Sequence, residues 1–173
     1  HVEYDKQGHL TRRTLPLGQS ETFTYDPNGN LLSHTNFNGQ TIFYTYDSNN
    51  RLVQKQLPGG VTESFTYSPA GLRLTAGGDA YQYNARGWLV KETKASDDVI
   101  EYDYDAVGNR TVISTTSGIT LYTYDTLNRL STVRAADGGV TTYTYDAVGN
   151  LTSQHYRNGI LTTYTYNNRN QLT

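Results

Sequence analysis

The chain has 173 residues, with 14 basic and 16 acidic side chains, so it carries no strong charge that would attract nucleic acid or an anionic membrane. It contains no cysteine, which excludes disulfides and thiolate metal sites, and no apolar stretch of about 18 residues that would predict a membrane span. Its 16 tyrosines and many threonines are strand formers, while large aliphatic residues are scarce. The composition therefore predicts ordered β-structure with little core.

One tyrosine recurs nine times at a nearly constant spacing, with steps of 21, 21, 21, 16, 21, 20, 21 and 21 residues. We refer to these as the key tyrosines: Tyr4, Tyr25, Tyr46, Tyr67, Tyr83, Tyr104, Tyr124, Tyr145 and Tyr166. A fixed period of this size is typical of repeat proteins, in which each unit buries surface only against its neighbours. We therefore expect function to reside in the array rather than in a pocket of unique residues.

Each key tyrosine ends a predicted strand. Residues 141–146 alternate β-branched and aromatic types, which is the period-two pattern of a strand. Eight repeats carry a second aromatic residue two positions earlier: Phe23, Tyr44, Phe65, Tyr81, Tyr102, Tyr122, Tyr143 and Tyr164. Because positions i and i+2 of a strand lie on one face, each of these repeats places two rings on the same side of the sheet.

A tight turn is predicted directly after each key tyrosine. The residue that begins this turn is Asp5, Asp26, Asp47, Asp105, Asp125 or Asp146, and Ser68, Asn84 or Asn167 in the other three repeats. Three positions later stands Gly8, Gly29, Gly71, Gly87, Gly108 or Gly149, and Asn50, Asn128 or Asn170 in the other three. This pattern predicts a type I turn closed by a left-handed residue in a G1 bulge.

The aspartate column is interpreted as a set of turn caps rather than as catalytic or metal-binding groups. Its replacements by Ser and Asn keep a hydrogen-bond acceptor and lose the negative charge. Successive copies should also lie about 10 Å apart, too far to share one ion. We predict no catalytic residue, no metal site and no cofactor.

The turn fixes the expected register of each hairpin. Asp146 should face Asn150, and Tyr145 should face Leu151. A second turn then follows, usually with glycine as in Asn38-Gly39, whereas Asp97-Asp98 fills this slot without glycine. One unit is thus two strands and two turns. The predicted fold is all-β, a single-layer antiparallel sheet of about nine hairpins forming one array over residues 1–173, with a short repeat around 68–83.

Other residues that could carry chemistry show no spacing typical of a site. His1, His9, His34 and His155 are scattered, and we expect them to be solvated. The acidic residues between Asp97 and Asp105 indicate a solvated hairpin tip, with a weak calcium site as the alternative. Trp88 is either a local packing residue or an exposed contact.

The repeats resemble a known family. Phe23-Thr24-Tyr25-Asp26-Pro27-Asn28-Gly29-Asn30-Leu31 and the segment from Tyr143 to Leu151 are similar to the YD repeat of bacterial Rhs proteins, insecticidal toxin-complex shells and teneurin ectodomains. The resemblance implies a hairpin strip that curves into a hollow shell, secreted or at the cell surface, without catalysis. In bacterial members the shell holds a C-terminal toxin domain, so the implied partners are neighbouring repeats and an attached toxin domain, with no nucleic acid.

The resemblance is incomplete, and a second function stays open. The sequence does not show three parts of a complete Rhs protein: the self-cleaving Asp-Pro segment, a toxin domain after Thr173 and a targeting domain before His1. We therefore expect the chain to be a fragment of a longer protein. The alternative function is a cell-surface adhesion or carbohydrate-binding module, in which the rows of tyrosine rings stack on glycans.

Overall fold

The computed structural model describes residues 1–173 and consists of strands and turns. Its seventeen strands are β1 (Val2–Tyr4), β2 (Leu10–Thr14), β3 (Ser20–Tyr25), β4 (Leu31–Thr35), β5 (Thr41–Tyr46), β6 (Leu52–Gln56), β7 (Thr62–Tyr67), β8 (Arg73–Ala76), β9 (Asp79–Tyr83), β10 (Leu89–Thr93), β11 (Val99–Tyr104), β12 (Arg110–Thr115), β13 (Gly118–Tyr124), β14 (Leu130–Arg134), β15 (Val140–Tyr145), β16 (Leu151–His155) and β17 (Leu161–Thr163). None of its segments is a helix long and apolar enough to cross a membrane.

The strands form one antiparallel sheet in which each strand pairs with the next strand of the chain. This confirms the predicted all-β meander of hairpins. The chain divides into two compact units, residues 1–80 and 81–173. The division falls within the short repeat.

The first unit shows the predicted register around the key tyrosines. Tyr25 lies opposite Leu31, and Tyr46 lies opposite Leu52. In both hairpins the register shifts by one residue just before the tyrosine, as expected for a bulge beside a three-residue loop. The predicted register is therefore confirmed in these two hairpins.

The second unit repeats this arrangement. Tyr145 lies opposite Leu151, and Tyr124 lies opposite Leu130. At the end of the chain the same pairing is reduced to an isolated bridge between Tyr166 and Leu172. The tyrosine–leucine pairing predicted from the sequence is therefore confirmed here as well.

The turns have one geometry throughout most of the chain. The Asp146 N–H donates to the Asn150 carbonyl at 2.9 Å, and the Gly149 N–H donates to the Asp146 carbonyl at 3.2 Å. Gly149 has a φ of 100°, while Asn50 in the same position of its own repeat has a φ of 59°. Asp97, with a φ of 67°, occupies this left-handed position in the second turn that lacks glycine.

Burial is low and differs between the two sides of the sheet. No apolar side chain is fully buried, and Glu21, with 6% exposure, is the one buried polar residue. The side that carries Tyr143 and Tyr145 is half-buried, whereas Thr144 between them is exposed. The structure is therefore ordered with little core, as the composition predicts.

Candidate functional site: the turn edge and the key tyrosines

Most key tyrosines connect their own repeat to the one before it through the hydroxyl group. In seven repeats the hydroxyl donates to a backbone carbonyl of the preceding hairpin, at 2.8 to 3.0 Å. The donor–acceptor pairs are Tyr25–Leu10, Tyr46–Leu31, Tyr67–Leu52, Tyr104–Leu89, Tyr124–Arg110, Tyr145–Leu130 and Tyr166–Leu151. The sequence pattern alone did not predict these bonds. The available signal was that all nine key positions are Tyr, whereas the position two residues earlier also accepts Phe.

The aspartate that begins each turn accepts hydrogen bonds from its own turn. The Oδ1 atom of Asp146 accepts the N–H groups of Val148 at 3.1 Å and Asn150 at 2.8 Å. Its Oδ2 atom accepts the Asn150 side chain at 2.9 Å. Donation by the Asn150 side chain, and then by backbone N–H groups, lowers the pKa of Asp146 below its ordinary value.

The two other residue types found at this position make related bonds. The Asn84 Oδ1 atom accepts the N–H groups of Arg86 at 2.9 Å and Trp88 at 3.0 Å. The Ser68 hydroxyl accepts the Leu72 N–H at 3.1 Å. An acceptor at this position is common to all three residue types, while a negative charge is not.

We refer to the fifth residue after each key tyrosine as the edge residue, and in seven repeats it contacts the next repeat. The edge residues are His9, Asn30, Arg51, Leu72, Trp88, Asn109, Arg129, Asn150 and Gln171. In two repeats this residue is an arginine that spans two turns. The Arg51 Nε atom donates to Asp47 at 2.7 Å, its Nη1 atom donates to the Ser68 carbonyl at 3.3 Å, and its guanidinium lies 4.8 Å from the centre of the Tyr67 ring.

Two aromatic edge residues also cover the next key tyrosine. His9 stacks on Tyr25 with ring centroids 4.8 Å apart, and its Nδ1 atom lies 2.9 Å from Asp5. Trp88 packs on Tyr104 with ring centroids 5.3 Å apart and is half-buried. Of the two alternatives for Trp88, the structure therefore supports local packing.

Three asparagine edge residues use both hydrogens of their amide group. The Asn109 Nδ2 atom donates to Asp105 in its own turn at 2.9 Å and to Asn128 in the next turn at 3.0 Å. Asn30 bonds to Asp26 and Asn50 at 2.8 Å each. Asn150 makes the equivalent bond to Asn170 at 3.2 Å. Each such amide connects two successive turns.

Glu21 is at the centre of a charged cluster in the first unit. Its carboxylate lies 2.6 Å from Arg13 and 3.3 Å from the Nε2 atom of His34. The His34 ring stacks on Phe23 with centroids 4.5 Å apart and an interplanar angle of 5°. The expectation that the histidines are solvated is therefore wrong for His34, and also for His9, because both rings pack against an aromatic neighbour and meet a carboxylate.

The second unit contains an open depression of about 570 Å³ between β9 and β13. Its charged lining consists of Asp103 and the ion pair between Lys91 and Glu101, 3.3 Å apart. No three His, Asp or Glu side chains converge to hold a metal ion. The acidic residues nearby are dispersed, since Asp105 caps its own turn and Asp98 accepts the Ser96 hydroxyl at 2.8 Å.

The hairpin period and the hydrogen bonds between turns define a β-hairpin repeat protein of the YD type. The family model of the teneurin YD-shell matches residues 1–121, and the RHS repeat model matches residues 104–140, 124–160 and 145–173. The chain therefore belongs to the teneurin YD-shell family. No curated protein is significantly similar to it in sequence.

Solved structures of toxin complexes have the same fold. The crystal structure of TcdB2-TccC3-TEV superposes with a TM-score of 0.77 at 22% identity, over 99% of this chain and 12% of that one. TcdB2-TccC3 without its hypervariable C-terminal region gives 0.78 at 22% identity, with the same coverage. The pore of the Photorhabdus luminescens Tc holotoxin with a mutated TccC3 gives 0.72 at 25% identity, over 90% of this chain and 10% of that one. The chain thus spans about an eighth of the first two matched chains.

Proposed function

We propose that the chain is a non-catalytic wall segment of a secreted Rhs-type toxin, and that this wall encloses an attached C-terminal toxin domain of the same protein. The observation that carries the proposal is the use of side chains within the array. Asp146 is occupied by its own turn, Tyr145 bonds to the preceding repeat, and Asn150 bonds to the following one. In this arrangement the repeated polar side chains stabilise the repeat array rather than act in catalysis.

The family and the fold support a structural role. The similar structures are toxin complexes, and this chain corresponds to 12% of the length of the first two matched chains. A segment of that size would supply a portion of a larger wall. We accordingly propose one continuous array over residues 1–173 whose partners are adjacent repeats and a toxin domain, located outside the producing cell.

The contacts of the tyrosine rings weigh against the alternative of a sugar-binding face. Arg51, His9 and Trp88 each lie over the ring of the next key tyrosine. Hydroxyl groups of the key tyrosines also donate hydrogen bonds to backbone carbonyls. Covered rings of this kind offer little free surface for stacking on a glycan.

The test uses the natural full-length polypeptide that contains this chain. Its intact mass should exceed that of the 173-residue array of 19.4 kDa, and limited proteolysis should leave a C-terminal domain protected as long as the repeats are folded. Destabilising the repeats should then expose that domain to cleavage. A natural polypeptide no longer than the array, or a C-terminal domain cleaved equally with folded and unfolded repeats, would contradict the proposal.

A further inference from the structure

The edge residue of one repeat and the left-handed residue of the next repeat vary together along the chain. Wherever the edge residue is Asn, the next left-handed residue is Asn: Asn30 with Asn50, Asn109 with Asn128, and Asn150 with Asn170. Wherever the edge residue is another type, the next left-handed residue is Gly: His9 with Gly29, Arg51 with Gly71, Leu72 with Gly87, Trp88 with Gly108, and Arg129 with Gly149. The eight consecutive pairs contain no exception.

From this pattern and its geometry we infer that the pair is a recognition contact, which specifies the repeat that can follow another. The structural argument concerns the seven pairs whose members lie within one compact unit. In the three Asn–Asn pairs the two side chains are joined by a hydrogen bond, and in the four pairs with Gly that bond is absent. The inference does not depend on the proposed function. It concerns which repeats are compatible as neighbours in the array, whatever the function of the protein.

The Asn–Asn pair is explained by hydrogen bonding. A side-chain amide has two N–H hydrogens, and Asn109 directs one to Asp105 and the other to the Asn128 Oδ1 atom. Asn128 has a φ of 60°, a conformation that Gly adopts without steric cost and that Asn tolerates less well. The bond from Asn109 offsets this disadvantage, so Asn is favoured at the left-handed position only when its neighbour supplies the donor.

Glycine beside an aromatic edge residue is explained by space. A Cβ atom at Gly108 would lie 3.0 Å from the Cζ2 atom of Trp88, and one at Gly29 would lie 3.1 Å from the Nε2 atom of His9. A larger residue at either position would displace the ring from the key tyrosine that it covers.

Glycine beside an arginine edge residue has a different cause. A Cβ atom at Gly71 or Gly149 would meet nothing within 4 Å. Arg51 and Arg129 instead donate to the main-chain carbonyls of Ser68 and Asp146, so no donor is directed at an amide oxygen in the left-handed position. Without that bond, Gly is favoured at the left-handed position because it is less strained than Asn at positive φ.

The test is a double-mutant cycle on Asn109 and Asn128 in the 173-residue chain, using Asn109→Ala, Asn128→Gly and both together. The readout is native-state hydrogen exchange of the Asp125 N–H, which closes the turn by donating to the Arg129 carbonyl at 2.9 Å. With Asn109 present, Asn128→Gly should lower protection of this amide by about 2- to 10-fold. In the Asn109→Ala background the same change should leave protection unchanged or raise it, because glycine then only relieves strain.

A matched control uses the arginine pair in the same unit. Gly149→Asn should lower protection of the Asp146 N–H while Arg129 is present, and Arg129→Asn together with Gly149→Asn should recover part of that loss. Additive effects in the first cycle, which means an Asn128→Gly effect that is the same in both backgrounds, would overturn the recognition contact. Failure of Arg129→Asn to recover any protection would overturn it as well.

Discussion

The hydroxyl of Tyr145 donates a 2.9 Å hydrogen bond to the backbone carbonyl of Leu130, which lies 15 residues earlier in the preceding hairpin. The acceptor is main chain, so the bond does not depend on the side chain at position 130. The corresponding Tyr124 bond indeed goes to the carbonyl of an arginine, Arg110. This contact therefore requires a tyrosine in each of the seven repeats that make it, while leaving its partner residue free to vary.

Tyr145→Phe should destabilise the hairpins around β14 and β15 by about 1 kcal/mol, since it deletes the hydroxyl and leaves the ring in place. Hydrogen exchange of these strands and urea unfolding measure the effect. Tyr143→Phe is the matched control in the same strand, because the Tyr143 hydroxyl has only a long contact of 3.4 Å from the Gln154 amide. Equal losses for the two variants would contradict a special role for the key tyrosine.

Gly149→Val should cost about 1–3 kcal/mol, because a β-branched residue at a φ of 100° is strained whatever space surrounds it. Gly149→Asn should cost less, since Asn50 and Asn170 occupy the same position of their own repeats at φ values of 59° and 58°. Hydrogen exchange should show the damage confined to adjacent hairpins. If Val and Asn had the same effect, the turn would not require a left-handed residue.

Acid should weaken the array through its turn aspartates. The side-chain amide of Asn150, followed by backbone donors, lowers the pKa of Asp146 below its ordinary value, and the Arg129 N–H is the first cause of the lowered pKa of Asp125. As the pH falls, the unfolded chain therefore takes up protons first. The stabilisation that these aspartates contribute is fully present above about pH 5 and is lost as the pH falls through their folded-state pKa values.

Urea unfolding between neutral pH and about pH 2 tests this dependence. Asp146→Asn should retain most of the stability at neutral pH, because its Oδ1 atom still accepts the turn N–H groups, and it should reduce the loss in acid. A variant whose loss in acid matched that of the unmodified chain would show that Asp146 does not contribute. Stability that rose on acidification would contradict the sign of the effect.

Arg13→Ala should cost about 2–4 kcal/mol, because it removes the closest cation from the Glu21 carboxylate, which has a side-chain exposure of 7%. Half of the Arg13 side chain is exposed, so solvent can partly replace it and favours the lower end of that range. In a Glu21→Gln background the same change should cost clearly less, because no buried charge is then left unpaired. Urea unfolding of the two single variants and the double variant gives the coupling, and additive losses would exclude a buried ion pair that matters for stability.

Contacts between residues close together in the sequence were predictable, whereas contacts between residues far apart in the sequence were not. The pairing of Tyr145 with Leu151 was predictable because one short turn between them fixes the register. The contact of His34 with Glu21 was not, because these residues lie 13 positions apart and meet only after two strands have paired. The energetic importance of the Asp and Gly columns stays a prediction that the variants above test.

By itself, the amino-acid sequence determined the hairpin unit, its two turns and its pairing register, because alternation along a strand and acceptor–glycine spacing in a turn act within a few neighbouring residues. Only the tertiary structure decided the acceptor of the Tyr145 hydroxyl, the ring that Trp88 covers and the amide that Asn109 reaches. These contacts join different hairpins. They arise when antiparallel pairing places the turns of successive repeats side by side, so side chains about 15 to 20 positions apart become neighbours.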